Sequence, residues 1–246
     1  MKILNVAEKN DAAKNIATIL SNNRMRRVNL VFYVFFQREG FSVYNKIYDF
    51  NFTFNGKATN MIMTSARAKI IYRQSCDPIV LFEAPVEKII MKDYEPINKT
   101  LRREARYSDI LIIWTDCDRE GENIGFEIIE ECKEVKPNIR VFRAKFSEIT
   151  PSSIHHAIAN LVSPDPLANE AVNARQELDL RIGAAFTRFQ TLRLRRVFPQ
   201  ILANQLISYG SCQFPTLGFV VDRFKEVDRF VSEPFWRIIG AVTGVR

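Results

Sequence analysis

The 246-residue chain is poor in histidine and tryptophan, with two of each, and carries four cysteines. Cys76, Cys117, Cys132 and Cys212 lie far apart and form no C-x-x-C pair. That spacing speaks against a structural zinc site and against a disulfide framework, and suits a reducing compartment. The histidines, His155 and His156, are neighbours that point different ways on a predicted helix, and they read as surface or packing residues. Long apolar runs are missing too. The longest, Val28 to Phe36, is too short to span a bilayer, so no membrane partner is expected. The opening Met1-Lys2-Ile3-Leu4-Asn5-Val6 runs directly into a strand-like pattern and does not read as a signal peptide. Repeats and low-complexity tracts are absent.

What is present is ordinary in bulk and distinctive in one place. Apolar residues make up 47% and charged residues 26%, as in globular proteins. The length predicts one large or two small domains. A net charge of +7 permits a polyanionic partner without demanding one. The distinctive stretch is Ile110-Leu111-Ile112-Ile113-Trp114, an apolar run that stops at carboxylates: Asp116, Asp118, Glu120 and Glu122. Such a run reads as a buried strand of a parallel sheet. Ile124, Ile128 and Cys132 then recur at helical spacing. The acids therefore fall at the carboxyl end of a central strand, where open α/β sheets hold ligands. Crowded carboxylates repel one another without a cation, and hard oxygen donors favour Mg²⁺.

The first strand, Lys2 to Ala7, ends at Glu8-Lys9-Asn10-Asp11, and Asn10 is expected to cap a helix through Leu20. Strands are expected at Lys46 to Phe54 and Ala58 to Thr64, joined by an Asn55-Gly56 turn, and at Ile79 to Phe82 and Asn138 to Ala144. A charged helix is expected over Pro96 to Arg106. A boundary falls at residues 149/150, with Thr150 as N-cap and Pro151 at the first helical position. Helices then cover Ser152 to Leu161, about Leu167 to Arg196 with a basic face, and Pro215 to Lys225. Phe235 to Val242 reads as the start of a strand.

Glu8 after one strand and Asp116-x-Asp118-x-Glu120-Gly-Glu122 after another resemble the Toprim domain of type IA DNA topoisomerases. Longer segments are similar to the eukaryotic topoisomerase III branch, most like its alpha form: 6–14, 114–129, 146–151, 175–191 and 207–223. The resemblance implies an α/β fold, a Rossmann-like and mostly parallel Toprim sheet over 1–149, followed by a mainly helical DNA-binding segment over 150–246. It implies cleavage of one DNA strand by a tyrosine, strand passage and religation. Glu8 and Lys9 would act at the scissile phosphate. Asp116, Asp118 and Glu120 would hold Mg²⁺. Arg175, Asp179, Arg188 and Gln213 would line a single-stranded DNA groove. The implied partners are single-stranded DNA, a RecQ-type helicase and an OB-fold protein, and the implied compartment is the nucleus.

Three departures from the family pattern stand out. None of the seven tyrosines precedes a proline, so the family's Tyr-Pro nucleophile motif is missing and the chain alone is expected to be inactive. Tyr209 reads as a structural or groove residue. The ten residues Val28 to Gln37 interrupt an expected junction of Arg26-Arg27 with Arg38-Glu39-Gly40. They read as a translated in-frame intron, the alternative being an apolar strand insertion or an interaction loop. The segment after Ser65 is several residues short of the family's loop. Two other readings stay open: a non-catalytic single-stranded DNA-binding fragment, and a Toprim metal-dependent nuclease.

Overall fold

A computed structural model describes residues 1–22, 35–42, 45–66, 70–72, 80–82, 84–86, 88–90 and 92–240. The chain divides into two compact units, Met1–Cys76 with Glu83–Leu180, and Asp77–Phe82 with Arg181–Arg246.

The first unit is built on a six-stranded sheet. Its strands are β1 (Lys2–Ala7), β2 (Phe35–Glu39), β3 (Lys46–Phe54), β4 (Lys57–Ser65), β7 (Ile110–Trp114) and β8 (Arg140–Arg143), in the order β2-β3-β4-β1-β7-β8. β4, β1, β7 and β8 are parallel neighbours; β2–β3 and β3–β4 are antiparallel. A separate ribbon pairs β5 (Ile70–Tyr72) with β6 (Lys88–Ile90). The helices are α1 (Asn10–Leu20), α2 (Glu95–Arg106), α3 (Arg119–Val135) and α4 (Pro151–Ala159). The mixed but mostly parallel sheet with flanking helices is the expected class.

Period-two burial explains the layers. In β7, Ile110, Ile112 and Trp114 enter one core with Ala13, Ile16, Ala17 and Leu20 of α1 and Ile154 and Ala157 of α4. Leu111 and Ile113 enter the other, with Leu101 and Ala105 of α2 and Ile128 and Cys132 of α3. All five β7 residues are buried, as a strand covered on both faces requires. Burial pushes the Cys132 thiol up to about 12, so it behaves as a small apolar group.

The expected Asn-Gly hairpin joins β3 and β4. Asn55 and Gly56 have φ of 48° and 73°, the pair of positive values a tight two-residue turn needs. Asn10 does not cap α1. It is the first helical residue, its Oδ1 accepts from the Tyr48 hydroxyl at 3.2 Å, and Lys9 occupies the cap position. Val80–Phe82 forms a 3₁₀ turn in place of the expected strand, while Ile79 lies outside the described residues. Of the ten extra residues, 28–34 lie outside the described residues, and Phe35 to Gln37 open β2. The shortened stretch after Ser65 continues through Ala66, and 67–69 also lie outside.

β2 is fastened through Arg38. Its guanidinium donates to Asp49 of β3 at 2.5 and 3.0 Å and to both oxygens of Glu104 of α2 at 3.2 Å. Burial alone would raise the Glu104 pKa, but the bonds from Arg38 and Arg103 outweigh it and hold that carboxyl below its usual range.

Considered by itself, the second unit is helical. It contains the end of α5 (Pro166–Val197), the short α6 (Pro199–Leu202) and α7 (Gln213–Asp228). Tyr209 stacks between Phe186 and Phe214, with ring centroids 5.0 and 5.1 Å away. The chain returns along α5 through Thr187 and Thr191: the Thr187 hydroxyl accepts from the Tyr209 amide at 2.7 Å, and that of Thr191 from the Ile207 amide at 3.1 Å. Residues 235–240 form no strand and are exposed. An extended segment needs a neighbour to pair its backbone groups, and among the described residues none runs alongside it.

Candidate functional site

β1 and β7 end side by side, with Ala7 opposite Trp114 in the register, so the residues that follow emerge together. Glu8 and Lys9 leave β1, and Asp116 leaves β7. Lys9 Nζ lies 3.4 Å from Glu8 Oε1 and 3.9 Å from Asp116 Oδ2, bridging two carboxylates distant in sequence. Glu8 is 13% exposed and Asp116 62%. This is the carboxyl end of a parallel sheet, where the strand-then-acid pattern placed the acids.

The turn after β7 is tight. Asp118 is the N-cap of α3, its Oδ1 accepting from the Gly121 amide at 2.6 Å. The Thr115 hydroxyl donates to the Gly121 carbonyl, also at 2.6 Å. A Cβ at position 121 would sit 2.0 Å from the Asp116 carbonyl oxygen, so only glycine allows this approach. The helix thus begins within the acidic run. Glu120 and Glu122 lie in its first turn, and residues two apart on a helix face different ways.

The carboxylates consequently diverge. Asp118 is engaged as a cap. Glu120 Oε1 pairs with Arg175 Nη2 of α5 at 2.5 Å, both side chains being about half exposed. Glu122 is buried against Arg143 at 3.0 Å. Among the described residues no three Asp, Glu, His or Cys side chains converge on a point that could hold a metal ion. The donor chemistry is nevertheless that of a hard cation: Asp116 and Glu120 are exposed carboxylates, each neutralised by one basic side chain, Lys9 or Arg175.

Of the expected DNA-binding residues, Arg175 is drawn to the acidic turn by Glu120, and Asp179 follows one helical turn later on α5. Arg188 and Gln213 belong to the second unit, Arg188 on α5 and Gln213 at the start of α7. Other arginines of the basic face serve the fold: Arg181 donates to the Phe82 carbonyl at 2.6 Å and Arg195 to that of Gln205 at 3.1 Å. His155 stacks against Phe52, consistent with a packing role. Sequence reasoning missed Arg143. It has no motif of its own: β8 reads Arg140-Val141-Phe142-Arg143, and nothing in that order tells the buried arginine from the exposed one.

The Toprim domain family model matches residues 3–149, and the DNA topoisomerase family model matches residues 164–245. The chain is 58% identical to the DNA topoisomerase 3-alpha of Homo sapiens over 246 residues, covering 96% of this chain and 24% of the relative. The chain belongs to the type IA DNA topoisomerases. Within that family it is similar to the topoisomerase III alpha form. It is 55% identical to the DNA topoisomerase 3-alpha of Drosophila melanogaster, covering 97% of this chain and 19% of that one. To the DNA topoisomerase 3 of Caenorhabditis elegans it is 46% identical, covering 97% and 32%. This topoisomerase chain thus spans about a quarter of the length of the human relative. Among solved structures, full-length topoisomerase I from Thermotoga maritima superposes with a TM-score of 0.54 at 24% identity, covering 93% of this chain and 31% of that one. That likeness supports the fold.

Proposed function

We propose that this chain carries the cation- and phosphate-handling part of a topoisomerase III centre that cleaves and reseals single-stranded DNA. The observation that carries the reading is the meeting of Glu8, Lys9 and Asp116 at the ends of two adjacent parallel strands. Lys9 would contact a phosphate oxygen and offset its charge, and Glu8, mostly shielded from water, would handle a proton at the leaving oxygen. Asp116, Asp118 and Glu120 would hold Mg²⁺, which when bound supplies electrostatic stabilisation to phosphate oxygens. Arg175, Asp179, Arg188 and Gln213 would follow the DNA backbone, giving affinity that falls with salt and reads little sequence.

The chain holds no Tyr-Pro pair, and Tyr209 is enclosed between two phenylalanine rings. The reading is therefore that the chain by itself binds single-stranded DNA without joining to it. Nuclear residence and docking to a RecQ-type helicase and an OB-fold protein belong to the same proposal and rest on family membership.

Fluorescence anisotropy of a labelled oligothymidylate, with and without Mg²⁺, tests the reading. Binding that Mg²⁺ strengthens, that Asp116→Asn with Asp118→Asn makes insensitive to Mg²⁺, and that leaves no covalent adduct after denaturation supports it. Binding indifferent to Mg²⁺ in the unaltered chain removes the metal role. A denaturant-resistant adduct removes the claim of inactivity.

A further inference from the structure

Glu122 and Arg143 form a buried charge pair that the proposed chemistry does not use. Their side chains are 8% and 1% exposed. Arg143 Nε donates to Glu122 Oε2 at 3.0 Å, Nη1 to the carbonyls of Ile113 and Ala144 at 3.3 and 2.8 Å, and Nη2 to the carbonyl of Asp116 at 2.7 Å. The other Glu122 oxygen accepts from the Asp165 amide at 2.6 Å. One ion pair thus joins the end of β7, the acidic turn, β8 and the residue that precedes α5.

Stability alone is a poor reason for such a pair, because apolar residues of similar volume often serve a buried site as well or better. What these residues do that apolar ones could not is hold a backbone carbonyl in a fixed place. The carbonyl held is that of Asp116, the same atom that Gly121 approaches too closely for any side chain. The next residue of α3 extends the tie, since Asn123 Nδ2 donates to Asn169 and Asn173 of α5 at 2.8 and 3.0 Å. Glu120 meets Arg175 on the same helix.

We infer that Arg143 and Glu122 are positioning residues. They set the direction in which the Asp116 and Asp118 carboxylates leave the β7 turn, and they lock that turn to the stretch of α5 bearing Arg175. The cation side of this inference rests on the proposed role of the acids. The positional side stands on the backbone contacts.

Two variants of this chain test it: the double variant Arg143→Met with Glu122→Gln, which removes both buried charges while keeping volume, and Arg143→Lys, which keeps a charge with fewer donors. Two readouts are taken: Mn²⁺ affinity, from the paramagnetic resonance of free Mn²⁺, and amide hydrogen exchange over residues 116–123. The double variant is expected to keep its circular dichroism and lose Mn²⁺ affinity by about 10- to 100-fold. Exchange should quicken at the turn and stay unchanged in the β3–β4 hairpin. Arg143→Lys should fall between, and it carries the test if the double variant does not fold. Mn²⁺ affinity within about two-fold of the parent, with unchanged exchange at the turn, overturns the inference. Should the parent chain itself bind no Mn²⁺, the cation reading fails separately. Exchange then decides alone: faster at the turn upholds the positioning role, and unchanged refutes it.

Discussion

The two units differ in what their apolar residues touch. In the sheet unit, Ile3, Leu4, Ile112 and Ile113 are all at 0% exposure, and their partners come from strands and helices far apart in sequence. In the helical unit, α7 buries no residue, and Phe219, Phe224 and Val227 are 76%, 68% and 60% exposed. A helix satisfies its backbone within itself, so periodicity alone suffices to write it. A sheet cannot form until distant segments meet, so its existence already implies a core. Side-chain burial stabilises the first unit, while among the described residues α7 is held by its own hydrogen bonds and by the stacking of Phe214 on Tyr209.

The largest effect is expected at Ile112→Ala, which opens a cavity in the central strand and should destabilise the chain by about 2–5 kcal/mol in chemical denaturation. Gly121→Ala comes next. Its new Cβ must displace the Asp116 carbonyl, for a loss of about 1–3 kcal/mol together with weaker divalent-cation binding by titration. A well-folded, cation-binding Gly121→Ala chain would show that the turn is looser than its geometry implies.

A smaller effect concerns acid. Glu104 has its folded pKa lowered from an ordinary 4.5, so its contribution is present above that pH and is lost as the pH falls through the folded value. Glu104→Gln should flatten the stability profile below about pH 4.5 and leave its slope near neutrality unchanged. The smallest effect is expected at Phe224→Ala in α7, within about 0.5 kcal/mol. If Phe224→Ala proved as destabilising as Ile112→Ala, the contrast between the units would be wrong.

Much of the fold was legible because its signals are local. The four buried residues of α1, the Asn55-Gly56 hairpin, the Thr150 cap and the fully buried β7 each depend on spacing within a few residues. The misses arose where a distant partner decided. Asn10 was expected to cap its helix, but the Tyr48 hydroxyl takes its oxygen. Phe235 onward reads as a strand by composition, but no described neighbour pairs with it.

For the site, the residue sequence by itself determined which groups exist: carboxylates after two buried strands, a lysine beside one of them, and a glycine inside the acidic run. Strand alternation and turn chemistry act over short distances, so these were readable from order alone. The tertiary structure decided how the acids are divided. Helical phase turns Glu122 inward while Glu120 faces Arg175, the capping bond occupies Asp118, and parallel pairing of β1 with β7 sets Glu8 and Lys9 beside Asp116. Those outcomes depend on which segments become neighbours and on the exclusion of water around Arg143, and neither is written in the spacing of the residues.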